Sequence, residues 1–465
     1  MFTWPLGKSK MLLRFTVENF MSFKERAELS LIPSKVRRHP EHVIKDESPN
    51  GINTLKTAVV YGANASGKSN LIKAMWHVQQ MVVIGSRSGR KIPFHPYRLD
   101  EQFLTVPSRF EFEVKVGKNN YAYGFSADSN EIHEEWLYRI DKVKDKLIFE
   151  RKLTKTDNEY KFGDISFESS NDELFLNFTA KGTPDNRLFL NECKERNVSR
   201  ELSYLNEITD VTHWFENNLT IMFPDSKYTG LEMEIQNNQK TTDVFSKLLN
   251  SFDTGISELK LQEVNFETEL VGVPEEIKQK IAEELEENTN LLLAAKNTRY
   301  QFCKKPTGEI KAYKLMTAHI NDKGEETLFD LNQESDGTLR LLDIAPGLLE
   351  IFSRDKTYII DEIDRSLHPD ITTSIFKAFL SNTTQLKSQL IVTTHETNLL
   401  DQNIVRKDEL WFVQKKSNGE SSLYSLEEYQ PRFDKDIRKG YLTGRFSGVP
   451  LIPNFENLSW MNVDG

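Results

Sequence analysis

The chain has 465 residues, two cysteines and a formal net charge of −10, with 38% hydrophobic residues, enough for one large or two ordinary domains around a sizeable core. No apolar run is long enough to cross a bilayer, Met1 to Arg14 lacks the apolar stretch of a secretory leader, and Cys193 and Cys303 form neither a metal spacing nor a disulfide framework, so a cytoplasmic protein without a membrane span is expected. The acidic balance argues against a surface coated for nucleic acid, though it leaves room for a local basic groove.

In chain order, Met11 to Phe23 reads as an apolar strand followed by the turn Asn19-Phe20-Met21-Ser22-Phe23. The ten residues before it read as a tag or an alternative start. Gly7-Lys8-Ser9 there lacks a preceding strand and a first glycine, so it is no phosphate loop. Val36-Arg37-Arg38-His39 and Arg87-Ser88-Gly89-Arg90-Lys91 are the densest basic patches. Such short runs are usually solvated loops; contact with nucleic acid is the other reading.

Thr57 to Tyr61 reads as a buried strand, and Asn70 to Trp76 as a helix. Between them Gly62-Ala63-Asn64-Ala65-Ser66-Gly67-Lys68-Ser69 matches G-x-x-x-x-G-K-[ST]. In that setting the glycines let backbone N–H groups curl around a phosphate, and the helix N-terminus adds its positive end. Gly62, Asn64, Ala65, Ser66, Gly67, Lys68, Ser69 and Asn70 are therefore the expected nucleotide contacts. Lys68 would reach the β- and γ-phosphates of ATP, and the Ser69 hydroxyl would sit on Mg²⁺.

Residues 95–190 alternate in strand fashion, Phe110 to Val116 most clearly, and predict antiparallel strands. Residues from about 195 to 325 form an insertion expected to be mainly helical. Glu275 to Leu285 reads as an acid-rich amphipathic helix, apolar at Ile277, Ile281 and Leu285. Val244, Leu248, Leu249 and Phe252 give a second helical stripe. No heptad pattern is sustained, so no long coiled-coil arm is expected. The insertion is either a small lid packed on its own core or a module for oligomerisation or partner docking.

Further on, Glu334-Ser335-Asp336-Gly337-Thr338 opens an apolar helical pattern at Leu339, Leu341, Leu342, Ile344 and Ala345. Thr357 to Ile360 is an apolar strand that ends in Asp361 and Glu362. The carboxyl tip of such a strand is where open α/β sheets place ligands. Asp361 is placed to hold Mg²⁺ and Glu362 to polarise a water attacking the γ-phosphate. Asp364-Arg365-Ser366-Leu367-His368-Pro369 follows, and then a strand from Gln389 to Thr393 that leads to His395.

Taken in order, these stretches resemble the P-loop, signature, Walker B, D-loop and H-loop of ABC-type ATPases, the branch that includes SMC proteins. The opening strand and its Asn19-Phe20-Met21-Ser22-Phe23 turn are similar to those of SMC-like and RecF-like members. Pro96 to Asp100, Pro107 to Val114, Tyr121 to Phe125 and the tail from Tyr441 to Pro450 resemble stand-alone bacterial ATPases of phage-defence systems. The resemblance implies an α/β fold: an ABC-type P-loop ATPase with a mixed sheet, an antiparallel β-subdomain and a helical insertion. Residues 11–195 would be the first half of the ATPase, 196–325 the insertion and 326–465 the second half.

It also implies ATP and Mg²⁺ as ligands and a homo-oligomer of two or more subunits. In it, Ser335 and Gly337 of one chain meet the γ-phosphate held by another, and His395 holds that phosphate or the attacking water. Asp336 stands where a second glycine is usual, so it must point outward. Gln102 is the candidate for the Q-loop. Relatives that cut nucleic acid carry a TOPRIM domain after the ATPase, for which too short a segment follows here. The expected role is a sensor and scaffold that holds and releases a separate TOPRIM-type nuclease, with a phage protein as a possible trigger. The alternative is a DNA-repair or recombination ATPase of the RecF or SMC type, for which DNA would be the partner.

Overall fold

A computed structural model describes residues 10–48, 51–87, 89–154, 158–164, 167, 169–198, 205–227, 231–269, 275–286, 289–295, 297–305, 307–381, 387–429, 437–443 and 446. They divide into two compact units: residues 1–223, 351–363 and 375–465 in the first, and 224–350 and 364–374 in the second.

The chain begins with β1 (Lys10–Glu18) and β2 (Ala27–Ser30), then the short pair β3 (Val43–Ile44) and β4 (Thr54–Leu55), and β5 (Thr57–Tyr61). All five residues of β5 are buried: Ala58, Val59 and Val60 are apolar, as suits a strand covered on both faces, and the Thr57 and Tyr61 hydroxyls donate to the carbonyls of Leu390 and Glu396. Helix α1 (Lys68–Val83) follows at once. A meander comes next: β6 (Ser108–Val116), β7 (Asn119–Ala127), β8 (Ile132–Ile140), β9 (Lys146–Leu153) and β10 (Asn158–Phe162). Together with β1 and β2 it makes a seven-stranded antiparallel sheet in the order β10-β9-β8-β7-β6-β1-β2. The alternation along Phe110, Phe112 and Val114 puts those side chains in the core, where Phe112 packs on Phe15 at 4.6 Å.

The strands expected over 95–190 thus end at Phe162. Helices α2 (Ser170–Lys181), α3 (Phe189–Glu195) and α4 (Asn206–His213) come after them. A capping box between Ser169 and Asp172 starts α2, a local signal that overrides the preceding strand pattern. Trp214, fully buried, packs on Phe112 and Phe215 just before β11 (Leu219–Met222).

The second unit contains α5 (Leu231–Asn237), α6 (Gln239–Ser251), β12 (Ile256–Val264), α7 (Phe266–Glu269), α8 (Glu275–Glu284), β13 (Asn290–Ala295), β14 (Thr298–Lys304), β15 (Ile310–Ile320) and β16 (Glu326–Asp330). The region is therefore not mainly helical: an antiparallel sheet in the order β12-β15-β14-β13, with β16 on β15, stands beside its helices. Tyr300, Phe302 and Ala312 of that sheet bury against Ile281 and Leu285, two of the three residues expected on α8. The Ile277 side chain lies outside the described residues. The stripe of α6 is rotated from the expected one. Thr242, Phe245, Ser246 and Leu249 are buried, while Val244 is 48% exposed.

Helix α9 (Asp336–Ile351) then runs to β17 (Thr357–Ile360) of the first unit. The chain continues through α10 (Pro369–Ser381), β18 (Gln389–Thr393), β19 (Leu410–Lys415), β20 (Ser421–Ser425) and α11 (Ile437–Leu442). The first unit's second sheet has the order β11-β17-β18-β5-β19-β20, parallel except at β20. The carboxyl ends of β17, β18 and β5 therefore share one edge. The expected α/β class is observed: a mixed sheet of mostly parallel strands beside an antiparallel β-subdomain. Among the described residues no helix is long and apolar enough to cross a membrane. Of the tail expected to resemble defence ATPases, Gly444, Arg445 and Ser447 to Pro450 lie outside the described residues, as do Met1 to Ser9 and Ser88.

Candidate nucleotide site

The loop between β5 and α1 is held open by small residues. A Cβ at Gly62 would lie 2.5 Å from both the Ser66 hydroxyl and the Val413 carbonyl. Gly67 has φ +116°, and a Cβ there would lie 2.4 Å from Ser421 Oγ and 2.8 Å from Ser22 Oγ. Ala65 is also left-handed, at φ +60°. Asn64 and Ala65 are exposed at the tip, Ser66, Gly67 and Lys68 are buried, and Ser69 and Asn70 are half-buried.

Helix α1 starts at Lys68 with no side-chain cap and no acidic residue in its first turn. Its first N–H groups lack a helical partner and carry the positive end of the helix dipole, a cradle for an anion. The Lys68 ammonium donates to the carbonyls of Gly62 at 2.8 Å and Ala63 at 3.2 Å, which holds it over the loop. The buried Ser66 hydroxyl has no hydrogen-bond partner. An uncapped helix, a bound lysine and an orphaned hydroxyl together fit a polyphosphate.

Residues that sequence reasoning passed over brace this loop from behind. Ser421 donates its hydroxyl to the Ser66 carbonyl at 2.5 Å and its N–H to the Ser22 carbonyl at 2.7 Å. The Asn70 amide donates to the Ser22 hydroxyl at 2.8 Å. Asn19 accepts from the Tyr97 N–H and donates to the carbonyls of Phe103 and Val106. Tyr441 on α11 packs edge-on to Tyr61 at 5.7 Å, and burial pushes its phenol up. The Asn19-Phe20-Met21-Ser22-Phe23 turn was the one visible signal for this bracing; nothing marked Ser421.

Gly67→Ala is expected to lower the melting temperature by several degrees and weaken ATP binding together. The left-handed backbone alone costs about 1–3 kcal/mol for a non-glycine residue, and the two serines leave no room for the methyl. Scanning calorimetry and an ATP titration check this. Unchanged values in both would show that the serines yield.

Along the same edge, Asp361 is buried at the tip of β17 and its N–H donates to the Met222 carbonyl at 2.9 Å. The Thr393 hydroxyl, at the tip of β18, donates to Asp361 Oδ1 at 2.5 Å and accepts the Glu362 N–H at 2.8 Å. One hydroxyl thus fixes both acids, and sequence reading gave Thr393 no role. Glu362 is half-buried, with φ +49°. A non-glycine residue in that region is uncommon and marks a position the surroundings impose. His395 is exposed just past β18, after the Thr394 N–H bonds the Val60 carbonyl at 3.1 Å. A hydroxyl at Ser69 and a carboxylate at Asp361 are hard oxygen donors of the kind Mg²⁺ takes. Gln102 is exposed in a short turn capped by Asp100.

In the second unit Ser335 caps α9: its hydroxyl accepts the Thr338 N–H at 3.1 Å and meets the Thr338 hydroxyl at 2.9 Å. Asp336 is exposed, the outward position its charge requires. A Cβ at Gly337 would lie 2.8 Å from the Ser366 carbonyl, so glycine lets the backbone at Ser366 approach the helix start. Ser366 itself has φ +60°.

Residues 58–401 match the family described as "AAA domain, putative AbiEii toxin, Type IV TA system". No curated protein matches the chain. Solved structures that it resembles include the SMC head domain from Thermotoga maritima, at 14% identity and TM-score 0.32 over 89% of this chain and 98% of that one. The SMC head bound to the C-terminal winged-helix domain of ScpA gives 12% identity and TM-score 0.37 over 90% and 99%. An SMC head with an extended coiled coil, bound to the C-terminal domain of ScpA derived from Pyrococcus furiosus, gives 11% and 0.34 over 90% and 98%.

Proposed function

The chain belongs to this AAA-domain family, and from that premise we propose that it binds and hydrolyses ATP as an ABC-type switch. It holds a separate nuclease effector of TOPRIM type and releases it during phage infection. The observation that carries the ATPase part is the shared edge of the parallel sheet. It brings the uncapped helix with Lys68, after β5, and the two acids, after β17, to the same ends of strands separated only by β18, whose Thr393 fixes the acids. Ser69 and Asp361 would hold Mg²⁺, which would supply positive charge to offset the negative charge of the phosphates. Glu362 takes a proton from the attacking water, and His395 orients the γ-phosphate or that water.

The two-component part is supported by the family's description as a toxin–antitoxin system. The motif pattern suggests AriA, the ATPase subunit of the PARIS system, as the model for such a pair. In the closed assembly, Ser335 and Gly337 of one chain face the nucleotide on another. Closure then exists only with the γ-phosphate in place, which makes the assembly bistable.

The composite site has a direct check. Ser335→Arg should abolish hydrolysis, and mixing it with Lys68→Ala should restore part of it, since a mixed dimer contains one intact site. Absence of recovery, with hetero-oligomers shown to form, would count against signatures acting in trans. The biological role is tested by phage challenge of cells that carry this gene with and without a neighbouring TOPRIM gene. Protection that needs both genes and Lys68 supports the proposal. Protection by this chain alone, or hydrolysis strongly stimulated by DNA with no partner, overturns it and favours a repair ATPase.

A further inference from the structure

At the opposite edge of the parallel sheet, two histidines and a glutamate converge. His39, with φ +47°, precedes the single turn Pro40–His42, whose last residue bonds the Lys56 N–H just before β5. Glu409 immediately precedes β19, the parallel neighbour of β5. The cluster thus lies at the amino ends of these strands, whereas the phosphate loop lies at the carboxyl end of β5.

The hydrogen bonds around it fix both imidazoles. His39 Nε2 lies 2.9 Å from the Gln402 carbonyl, which can only accept, so that nitrogen carries the proton. The His39 lone pair is then on Nδ1, 3.0 Å from Glu41 Oε1. His42 Nδ1 lies 3.1 Å from both oxygens of the buried Glu409 carboxylate, so it is the donor there. That leaves the His42 lone pair on Nε2, 3.7 Å from the same Glu41 oxygen.

With both rings neutral, two lone pairs therefore face one carboxylate with no proton between them. A second proton on His39 would satisfy one contact and leave the other. A single cation satisfies both. The ligand atoms of His39, Glu41 and His42 lie within 4.8 Å of one another, and the two rings stack at 4.7 Å.

We propose that His39 Nδ1, Glu41 and His42 Nε2 bind a divalent transition metal of the Zn²⁺ class. Two imidazoles and a carboxylate are a donor set such ions take, with further positions left for water. The outer partners are those a metal-bound histidine uses: a carboxylate on one ring and a backbone carbonyl on the other. Glu409 is itself held by the Arg406 N–H at 2.7 Å, and Arg406 donates to the His39 carbonyl at 3.4 Å, so the outer partners form one network. Lys56, buried beside Glu41 and Glu409, balances the second carboxylate. Bound metal would clip the segment before β3 to the entrances of β5 and β19, residues more than 360 apart in sequence.

The test uses the full chain, stripped with chelator and free of nucleotide, titrated with Co²⁺ and then Zn²⁺. The expected result is about one Co²⁺ per chain, with visible d–d absorption that Zn²⁺ abolishes. Glu41→Gln, at a side chain 55% exposed and therefore safe for folding, should weaken binding at least about tenfold. His39→Ala should do the same, and Ser69→Ala, at the phosphate loop, should leave the spectrum unchanged. No uptake of either metal, the outcome if a proton fills the gap, overturns the proposal. So does binding that Glu41→Gln and His39→Ala leave intact, or that Ser69→Ala removes.

Discussion

Glu362→Gln is expected to bind ATP within a few-fold of wild type and to turn it over about 10²–10⁴ times more slowly, the range for loss of a general base. The substitution keeps the side chain's shape and leaves the backbone at φ +49°, so the Thr393 bond to the Glu362 N–H survives. What goes is the carboxylate's capacity to take a proton. Steady-state phosphate release beside an ATP titration separates the two effects. Turnover within about twofold of wild type, well inside that range, would move the base to another residue.

Lys68→Ala should act on binding instead. The ammonium is held over the loop by two carbonyls, so little freedom remains to be lost when phosphate arrives. Removing it forfeits a charged hydrogen bond worth about 1.5–3 kcal/mol, a loss of roughly 10- to 100-fold in ATP affinity. An unchanged dissociation constant would sink the assignment of this loop to phosphate.

The parts of the site legible in the sequence are those built from contiguous residues. Gly62 to Ser69 declare themselves because the strand, the turn and the helix start all lie within one short stretch. Asp361 and Glu362 do so because an apolar strand ends on them. The bracing was not legible. Thr393 meets Asp361 only because β17 and β18 pair with Ile360 opposite Val392. Ser421 reaches the Ser66 carbonyl from a strand at the other end of the chain. Such contacts are set by register between distant segments, which periodicity does not carry.

The insertion was misjudged for a related reason. Along β12, Glu258 and Lys260 share a face with Ile256 while Glu263 falls on the face of Leu259 and Leu261, so its alternation is broken. Acid-rich α8 advertised itself by comparison. On α6 the buried positions include Thr242 and Ser246, polar residues that a hydrophobic stripe overlooks, and the expected face came out rotated.

The central claim is that ATP closes two chains on each other through Ser335 and Gly337. It is tested most directly by the mass of Glu362→Gln in solution, by sedimentation or mass photometry, with and without ATP and Mg²⁺. The expected result is an ATP-dependent shift to a larger assembly that Ser335→Arg in the same background abolishes. A mass that saturating ATP leaves unchanged, or an ATP-dependent assembly indifferent to Ser335→Arg, would contradict it.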